Sequence, residues 1–344
     1  MRYRMLLWPH ANARYQSETV KLAEAELRLM LDCLCPEAAI TPGGGEVPSL
    51  CVEFPEAPAA SVLDALRKHS LMYCLFEERD GLLRQLAGRS SARLGSDLPS
   101  ILKYKGKTNE MFLQLLINVA LYSGAFWSQE GERLSLLDPM CGRATSLFVA
   151  VNRGWDAVGA DVDKNDLKEA ERFFKRYLEY HHFKHTVERQ SRTTPQGAGV
   201  GMCRFEFAAD TQAYKQGDTD ALSLVSTDAV QVARLLGKSA FHIVACDLPY
   251  GVRHDAQLSR GASRSGNWLD TLLKGALPQW HRALKPGGTV ALSFNAQNYS
   301  LEHLRALMEG AGFEVMRGGA YEGFSHWVEQ AITRDIAVGK KPIR

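Results

Sequence analysis

The residues with the clearest chemical content stand at the ends of short apolar runs. Leu136-Leu137 leads into Asp138-Pro139-Met140-Cys141-Gly142-Arg143-Ala144-Thr145, a strand-like run entering a turn of small residues before a helix. Gly142 and Ala144 let a ligand approach the backbone there, and the first turn of the following helix offers unpaired N–H groups. The turn lacks the G-x-G-x-x-G spacing of a pyrophosphate site and begins with an acid, which suits a cationic amine better. The next run ends Val158-Gly159-Ala160-Asp161-Val162, with an acid placed to accept both hydroxyls of a ribose. A third acid, in Ser226-Thr227-Asp228-Ala229, follows another apolar run and can receive an adenine amino group. Asp138, Met140, Cys141, Gly142, Asp161, Val162, Asp228 and Ala229 thus describe a site for an adenosyl ligand with an amino-acid tail, which is S-adenosylmethionine.

A second constellation closes the run Phe241–Cys246 with Asp247-Leu248-Pro249-Tyr250. An exocyclic amine on a nucleobase is a poor nucleophile because its lone pair is delocalised into the ring. Asp247 and the carbonyl of Leu248 can accept both N–H groups and draw the nitrogen toward tetrahedral geometry. Tyr250 can stack on the ring, and Pro249 stiffens the turn. Arg253, His254, Arg260 and Arg264 follow in a Gly/Ser-rich stretch that suits an acceptor-binding loop. His181, His182 and His185 have no neighbouring Cys or acid to complete a ligand set, so no metal is expected.

Such sites require a parallel sheet to carry them. Leu134–Leu137, Ala157–Ala160, Leu222–Val225, Ile243–Cys246 and Val290–Phe294 are short apolar strand candidates separated by helices, the pattern of a sheet covered on both faces. The helix after Asp163 carries Leu167, Ala170, Phe174, Tyr177 and Leu178 on one face, and His326 to Val338 reads as one long strand. Residues 185–220 break the alternation and read as an insertion. Residues 1–83 read as a small α+β unit of β-α-β-α-β order, a ferredoxin-like fragment in which the Gly/Pro-rich PEAAITPGGGEVP is a loop or hairpin and Ser61-x-x-Asp64 opens a helix. A connector over 84–101 follows, then a large domain over 102–344.

The chain has 344 residues, 41 basic against 39 acidic, a net charge of +2 that excludes a binder working by bulk electrostatics alone. Positive charge is instead local. Arg84, Arg89, Arg93, Lys103, Lys105 and Lys107 face a single acid, Asp97, in a stretch that is either a solvated connector or a strip tracking phosphates. Arg172, Lys175, Arg176, Lys184, Arg189 and Arg192 form a second cluster, either a solvated helix face or phosphate contacts. Seven cysteines with no CxxC pair point to free thiols in a reducing compartment. No apolar run suits a signal peptide or a membrane span, so a cytoplasmic protein is expected.

With D-P-M-C-G, V-G-A-D-V-D, D-L-P-Y-G-V-R and the upstream Lys103-Tyr104-Lys105-Gly106-Lys107-Thr108-Asn109-Glu110, the chain resembles the tRNA guanosine-10 N2-methyltransferase family and its bacterial relatives over about Leu102 to Val338. The resemblance implies the class I, Rossmann-like methyltransferase sheet. It implies that Lys105 and Thr108 line the methionine end of S-adenosylmethionine, and that Asp247 with Tyr250 faces the acceptor base. Leu248 stands where the motif has its first Pro, and Arg143-Ala144 replaces the usual Ser-Gly pair. The hundred residues ahead of the catalytic part suffice for the ferredoxin-like segment that such enzymes carry, and scarcely for their THUMP domain. The expected activity is N-methylation of an exocyclic amine, guanine N2 in tRNA or other RNA foremost. The other readings are the same chemistry on DNA, a peptide or protein amine or a small molecule, and a non-catalytic cofactor-dependent RNA-binding protein.

Overall fold

Alternation of apolar side chains along five strands builds two hydrophobic layers from one sheet. In the computed structural model, which describes residues 1–10, 13–86, 92–193, 197, 199–249 and 268–343, a small sheet precedes a large one. The small sheet holds β1 (Arg2–Leu7), β2 (Ala39–Pro42), β3 (Ser49–Glu53), β4 (Met72–Arg79) and β5 (Leu82–Gln85), with helices α1 (Ala13–Leu34) and α2 (Ala60–Leu66). Its order is β2-β3-β1-β4-β5, every neighbour antiparallel. That is the ferredoxin-like β-α-β-β-α-β arrangement with one strand added. The Gly/Pro-rich stretch is a hairpin, its first arm being β2. Ser61 does not open α2: the helix starts at Ala60 behind Ala59, which makes no side-chain cap.

The connector contains α3 (Leu98–Ile101) and leads to α4 (Glu110–Ser123). It is bound to the large domain rather than solvated. Arg93 Nε donates to Asp220 at 2.8 Å and its Nη2 to Asp218, while its backbone N–H reaches the carbonyl of Asn152 at 2.8 Å. Asn152 returns a hydrogen bond to the Gly95 carbonyl at 2.8 Å. Two cations of the expected strip are held by protein partners, Arg93 on Asp220 and Lys107 on Glu110, while Arg84 beside Glu77 is exposed. Lys103 and Lys105 are exposed, and Arg89 lies outside the described residues.

The large sheet contains β6 (Ser135–Asp138), β7 (Asp156–Asp161), β8 (Lys184–Thr193), β9 (Gly199–Ala208), β10 (Asp220–Ser226), β11 (Phe241–Asp247), β12 (Leu284–Asn295), β13 (Glu314–Val315), β14 (His326–Glu329) and β15 (Ile332–Lys340). Its order is β13-β15-β12-β11-β6-β7-β10-β9-β8, with β14 paired to β15. The middle run β10-β7-β6-β11-β12 is parallel. Residues 185–220, expected as an insertion, are the antiparallel hairpin β8–β9, which widens the sheet beyond β10, and α7 (Thr211–Gln216). The expected long strand over 326–338 is two strands folded on each other around Gln330-Ala331.

Between the strands run α5 (Thr145–Asn152), α6 (Lys164–Tyr180), α8 (Gln231–Leu236), α9 (Trp268–Ala283) and α10 (Leu301–Gly310). Leu136, Ile243 and Ala245 face α4 to α6, and their neighbours Leu137, Val244 and Cys246 face α8 to α10, as a period of two requires. The residues expected on the inner face of α6, Leu167, Ala170, Phe174, Tyr177 and Leu178, are all buried. The chain runs outward from β6 to β7 and β10, then returns to the other side of β6 as β11. Strand order reverses there, so the crevice at the tips of β6 and β11 is where an open α/β sheet binds ligands.

The small domain is welded to the large one through polar groups sealed in a shared core. Glu26 on α1 is 0% exposed. It accepts the Ser70 N–H at 2.9 Å and the Asn118 side-chain amide at 2.5 Å. Asn118 on α4 also donates to the Lys68 carbonyl at 2.9 Å and accepts from Arg153 at 2.6 Å. Among the described residues no helix is long and apolar enough to cross a membrane.

Candidate active site

The turn after β6 is stitched to the tip of β7. Cys141 donates its N–H to the Ala160 carbonyl at 2.9 Å, and the Gly142 N–H reaches Asp161 Oδ2 at 2.8 Å. Gly142 has φ +49°, and a Cβ there would meet nothing within 4 Å, so the glycine faces open space above the crevice. Two positions on, Ala144 takes φ 68° while fully buried, a left-handed backbone that an L side chain rarely adopts. Gly159 is required for a different reason: a Cβ would lie 2.6 Å from the Cys141 sulfur and 2.6 Å from Leu147 Cδ1. Gly159→Ala is therefore expected to cost roughly 1–3 kcal/mol by overpacking, measured by denaturant unfolding, and to shift the turn it abuts.

The expected cofactor acids occupy three different environments. Asp138 is 4% exposed, and its oxygens accept from the Met140 N–H at 3.0 Å and from the Ser146 hydroxyl. Burial pushes its pKa up to about 7 against the pull of those two donors. Asp161 receives the Asp163 N–H at 2.8 Å besides that of Gly142, and burial raises its pKa as well. Asp228 is exposed and receives the N–H groups of Val230 and Gln231, each at 2.9 Å, at the start of α8. Asp161 and Asp247 both act electrostatically on Asp138, and Asp228 stands two residues past the end of β10, whose Ser226 lies beside Asp161. Of the flanking residues, Cys141 and Ala229 are buried, Met140 is half-buried, and Val162 and Lys105 are exposed.

A carboxyl whose pKa is raised in the folded state holds its proton longer there than in the unfolded chain. Stability attributable to Asp138 therefore falls as pH rises from the ordinary carboxylate value of 3.8 toward about 7. Asp138→Asn is expected to flatten that part of the stability profile relative to the native protein, as followed by thermal melting across this pH range.

Asp247 at the tip of β11 is held from two directions. Thr108 Oγ1 donates to Asp247 Oδ2 at 2.7 Å, and Arg334 Nη2 approaches the same oxygen at 3.3 Å. The Arg334 guanidinium lies 4.5 Å from the centroid of the Phe112 ring. Thr108 is fixed in turn by Asn109, whose side chain caps α4 by accepting the Met111 N–H at 2.8 Å. On the other side of the crevice Tyr104 stacks under Arg143 at 4.5 Å, and Arg143 pairs with Asp166 at 2.8 Å. Residues 104–108 thus form a strap from the glycine turn to the β11 tip. Leu248 is 1% exposed and donates its N–H to the Ser293 carbonyl at 2.8 Å, so this departure from the motif anchors the turn in the core. Pro249 is half-buried. Tyr250, Arg253, His254, Arg260 and Arg264 lie outside the described residues.

Arg334 and Phe112 escaped the sequence reading. Arg334 stands 87 residues from Asp247 on a strand that reads as plain β-structure, and only the pairing of β15 with β12 brings it to the site.

No family model matches this chain, and no curated protein matches it. Similar solved structures include a methyltransferase from Pyrococcus furiosus, 12% identical over 70% of this chain and 89% of that one, with a TM-score of 0.41. A TehB-like SAM-dependent methyltransferase from Corynebacterium glutamicum is 14% identical, over 63% and 85%, with a TM-score of 0.35. An rRNA methylase from Streptococcus thermophilus is 8% identical, over 69% and 98%, with a TM-score of 0.36. Strand order assigns the fold: five parallel strands reversing at β6, with antiparallel β15 inserted between β12 and β13. The large domain has the Rossmann-like, class I methyltransferase fold.

Proposed function

We propose that this protein is an S-adenosylmethionine-dependent N-methyltransferase acting on an exocyclic amine of a nucleobase in RNA, with guanine N2 in tRNA as the leading acceptor. The observation that carries the reading is the placement of the Gly142 turn, Asp161 and Asp247 at adjacent strand ends around one crevice. The crevice fits the cofactor: Gly142 leaves open space, and each Asp161 oxygen, having accepted one backbone N–H, keeps a lone pair for a ribose hydroxyl. Asp161 and Val162 would hold the nucleoside, Asp228 and Ala229 the adenine, and Lys105 and Thr108 the methionine end. Asp138 acts through the turn, since it is buried beneath it, whereas Asp161 is only half-buried.

When bound, S-adenosylmethionine supplies an electrophilic methyl group. The chain supplies orientation and proton handling. The Asp247 carboxylate and the Leu248 carbonyl accept the N–H groups of the acceptor amine, which localises its lone pair on nitrogen. Thr108 and Arg334 hold Asp247 in place while it does so. Tyr250, on the motif alone, stacks on the base, and Arg253, His254 and Arg264 contact the acceptor strand. Tritiated-methyl incorporation into unmodified tRNA and rRNA is the test. Label in RNA, located at a guanine by nucleoside mass spectrometry, is the expected result; a folded, cofactor-binding protein that labels neither RNA would sink the reading.

A further inference from the structure

Side chains shrink along the sheet face that α6 covers. The β9 residues on that face run Phe207, Phe205, Cys203, Gly201, and the first three pair with Asp220, Leu222 and Leu224 on β10. At the wide end Phe174 of α6 packs edge-on against Phe205 at 5.1 Å and Phe207 at 5.3 Å, which fills the layer. Toward Gly201 and Ser226 the filling gives out. A cleft of about 290 Å³ opens there between α6 and the hairpin β8–β9, with Leu167, Cys203 and Leu224 in its walls and Lys164 and Lys168 at its rim. A Cβ on Gly201 would meet nothing within 4 Å. Arg189, the cation best placed to cross the opening, is tied to Glu171. Lys164 and Lys168 are exposed and one helical turn apart, and neither is paired with an acid among the described residues.

We propose that this cleft binds one nucleotide of the RNA strand, separate from the acceptor base, with its base against Leu167, Cys203 and Leu224 and its phosphate at Lys164 and Lys168. This rests on the RNA reading above. An open cleft with Leu167 and Leu224 at its floor suits a flat ring, and its volume matches the smallest ligand pockets, roughly 300 Å³. An unpaired basic rim suits a phosphate and disfavours a cationic peptide. The cleft opens beside the turn from β7 into α6, one strand outward from Asp161, so a strand seated in it passes the cofactor crevice. The hairpin β8–β9, which reads as an insertion in the sequence, thereby becomes a strand guide.

The test uses the full chain with an unmodified tRNA transcript and a mixed-sequence single-stranded oligoribonucleotide, in filter binding across a salt series. Gly201→Phe fills the cleft and is expected to lower affinity about tenfold, the loss of one base contact. Lys164→Ala with Lys168→Ala, both on the surface, is expected to flatten the slope of log K against log salt by about 0.7, the share of one phosphate on a single strand. Cofactor binding by calorimetry stays native in both. No affinity of the native protein for either RNA, or a native salt slope in the lysine variant, overturns the proposal; the lysine variant decides alone if Gly201→Phe does not melt cooperatively. Methyl transfer measured in parallel separates the two readings. RNA binding that depends on the cleft without methylation keeps the nucleotide site and removes the enzyme, whereas methylation indifferent to the cleft does the reverse.

Discussion

Asp247→Ala is expected to lower kcat for methyl transfer by about 10²–10⁴-fold, the range of a positioned acid–base group, with cofactor affinity close to native. The substitution removes the acceptor of the amine protons without moving the strand, because the next residue, Leu248, is locked by burial and by its hydrogen bond to Ser293. Asp247→Asn keeps an oxygen and the shape of the side chain, so it falls between native and alanine. Thr108→Val deletes the 2.7 Å hydrogen bond to Oδ2 and leaves the carboxylate itself. It is expected to lower kcat less than Asp247→Ala does, since Arg334 still holds that oxygen. Steady-state kinetics with calorimetric cofactor titration checks the series. Native kcat in Asp247→Ala would place the acceptor site elsewhere.

Glu26→Ala is expected to destabilise the protein by about 3 kcal/mol, the cost of breaking a buried charged hydrogen-bond set from one side. Ser70 loses the partner of its N–H and hydroxyl, Asn118 loses one acceptor, and the side chain leaves a cavity in a fully enclosed position. At about 2–4 °C per kcal/mol for a domain of 150–250 residues, melting shifts down by roughly 6–12 °C. Glu26→Gln keeps one acceptor oxygen for Ser70 or Asn118 and should recover part of the loss. The measurement is thermal unfolding with chemical denaturation as a cross-check. An unchanged melting temperature in Glu26→Ala would mean that the two domains are not coupled through this network.

The parallel strands were legible in the sequence because each is an apolar run that stops at a polar residue, and the inner face of α6 because Leu167 to Leu178 recur at helical spacing. The glycine turn and Asp247 were legible for the same reason, since a strand end is where local sequence and site coincide. Pairing between distant strands leaves no such trace. Nothing near Arg334 says that β15 will lie beside β12, so its approach to Asp247 emerges only from the sheet. Charge runs misled for a related reason: Arg93 looks solvated until Asp218 and Asp220, over a hundred residues away, close on it. Burial of Asp138 depended on Ser146 turning inward from α5, which the spacing of residues in the turn does not specify.

Helix α4 touches both ends of the molecule's polar architecture. Its N-terminal cap follows Thr108 at the Asp247 carboxylate, and Asn118, further along the same helix, is fixed in the network around Glu26. Fourteen residues of helix make a strut of about 21 Å, clamped at one end to the crevice at the β11 tip and along its length to the small domain. On the proposed function, an acceptor that also touched the small domain would be measured: the nucleotide presented at Asp247 would be the one a set distance along the strand. An acceptor too short to span the strut would meet the crevice without that gauge, and selection among its amines would fall to the crevice walls alone.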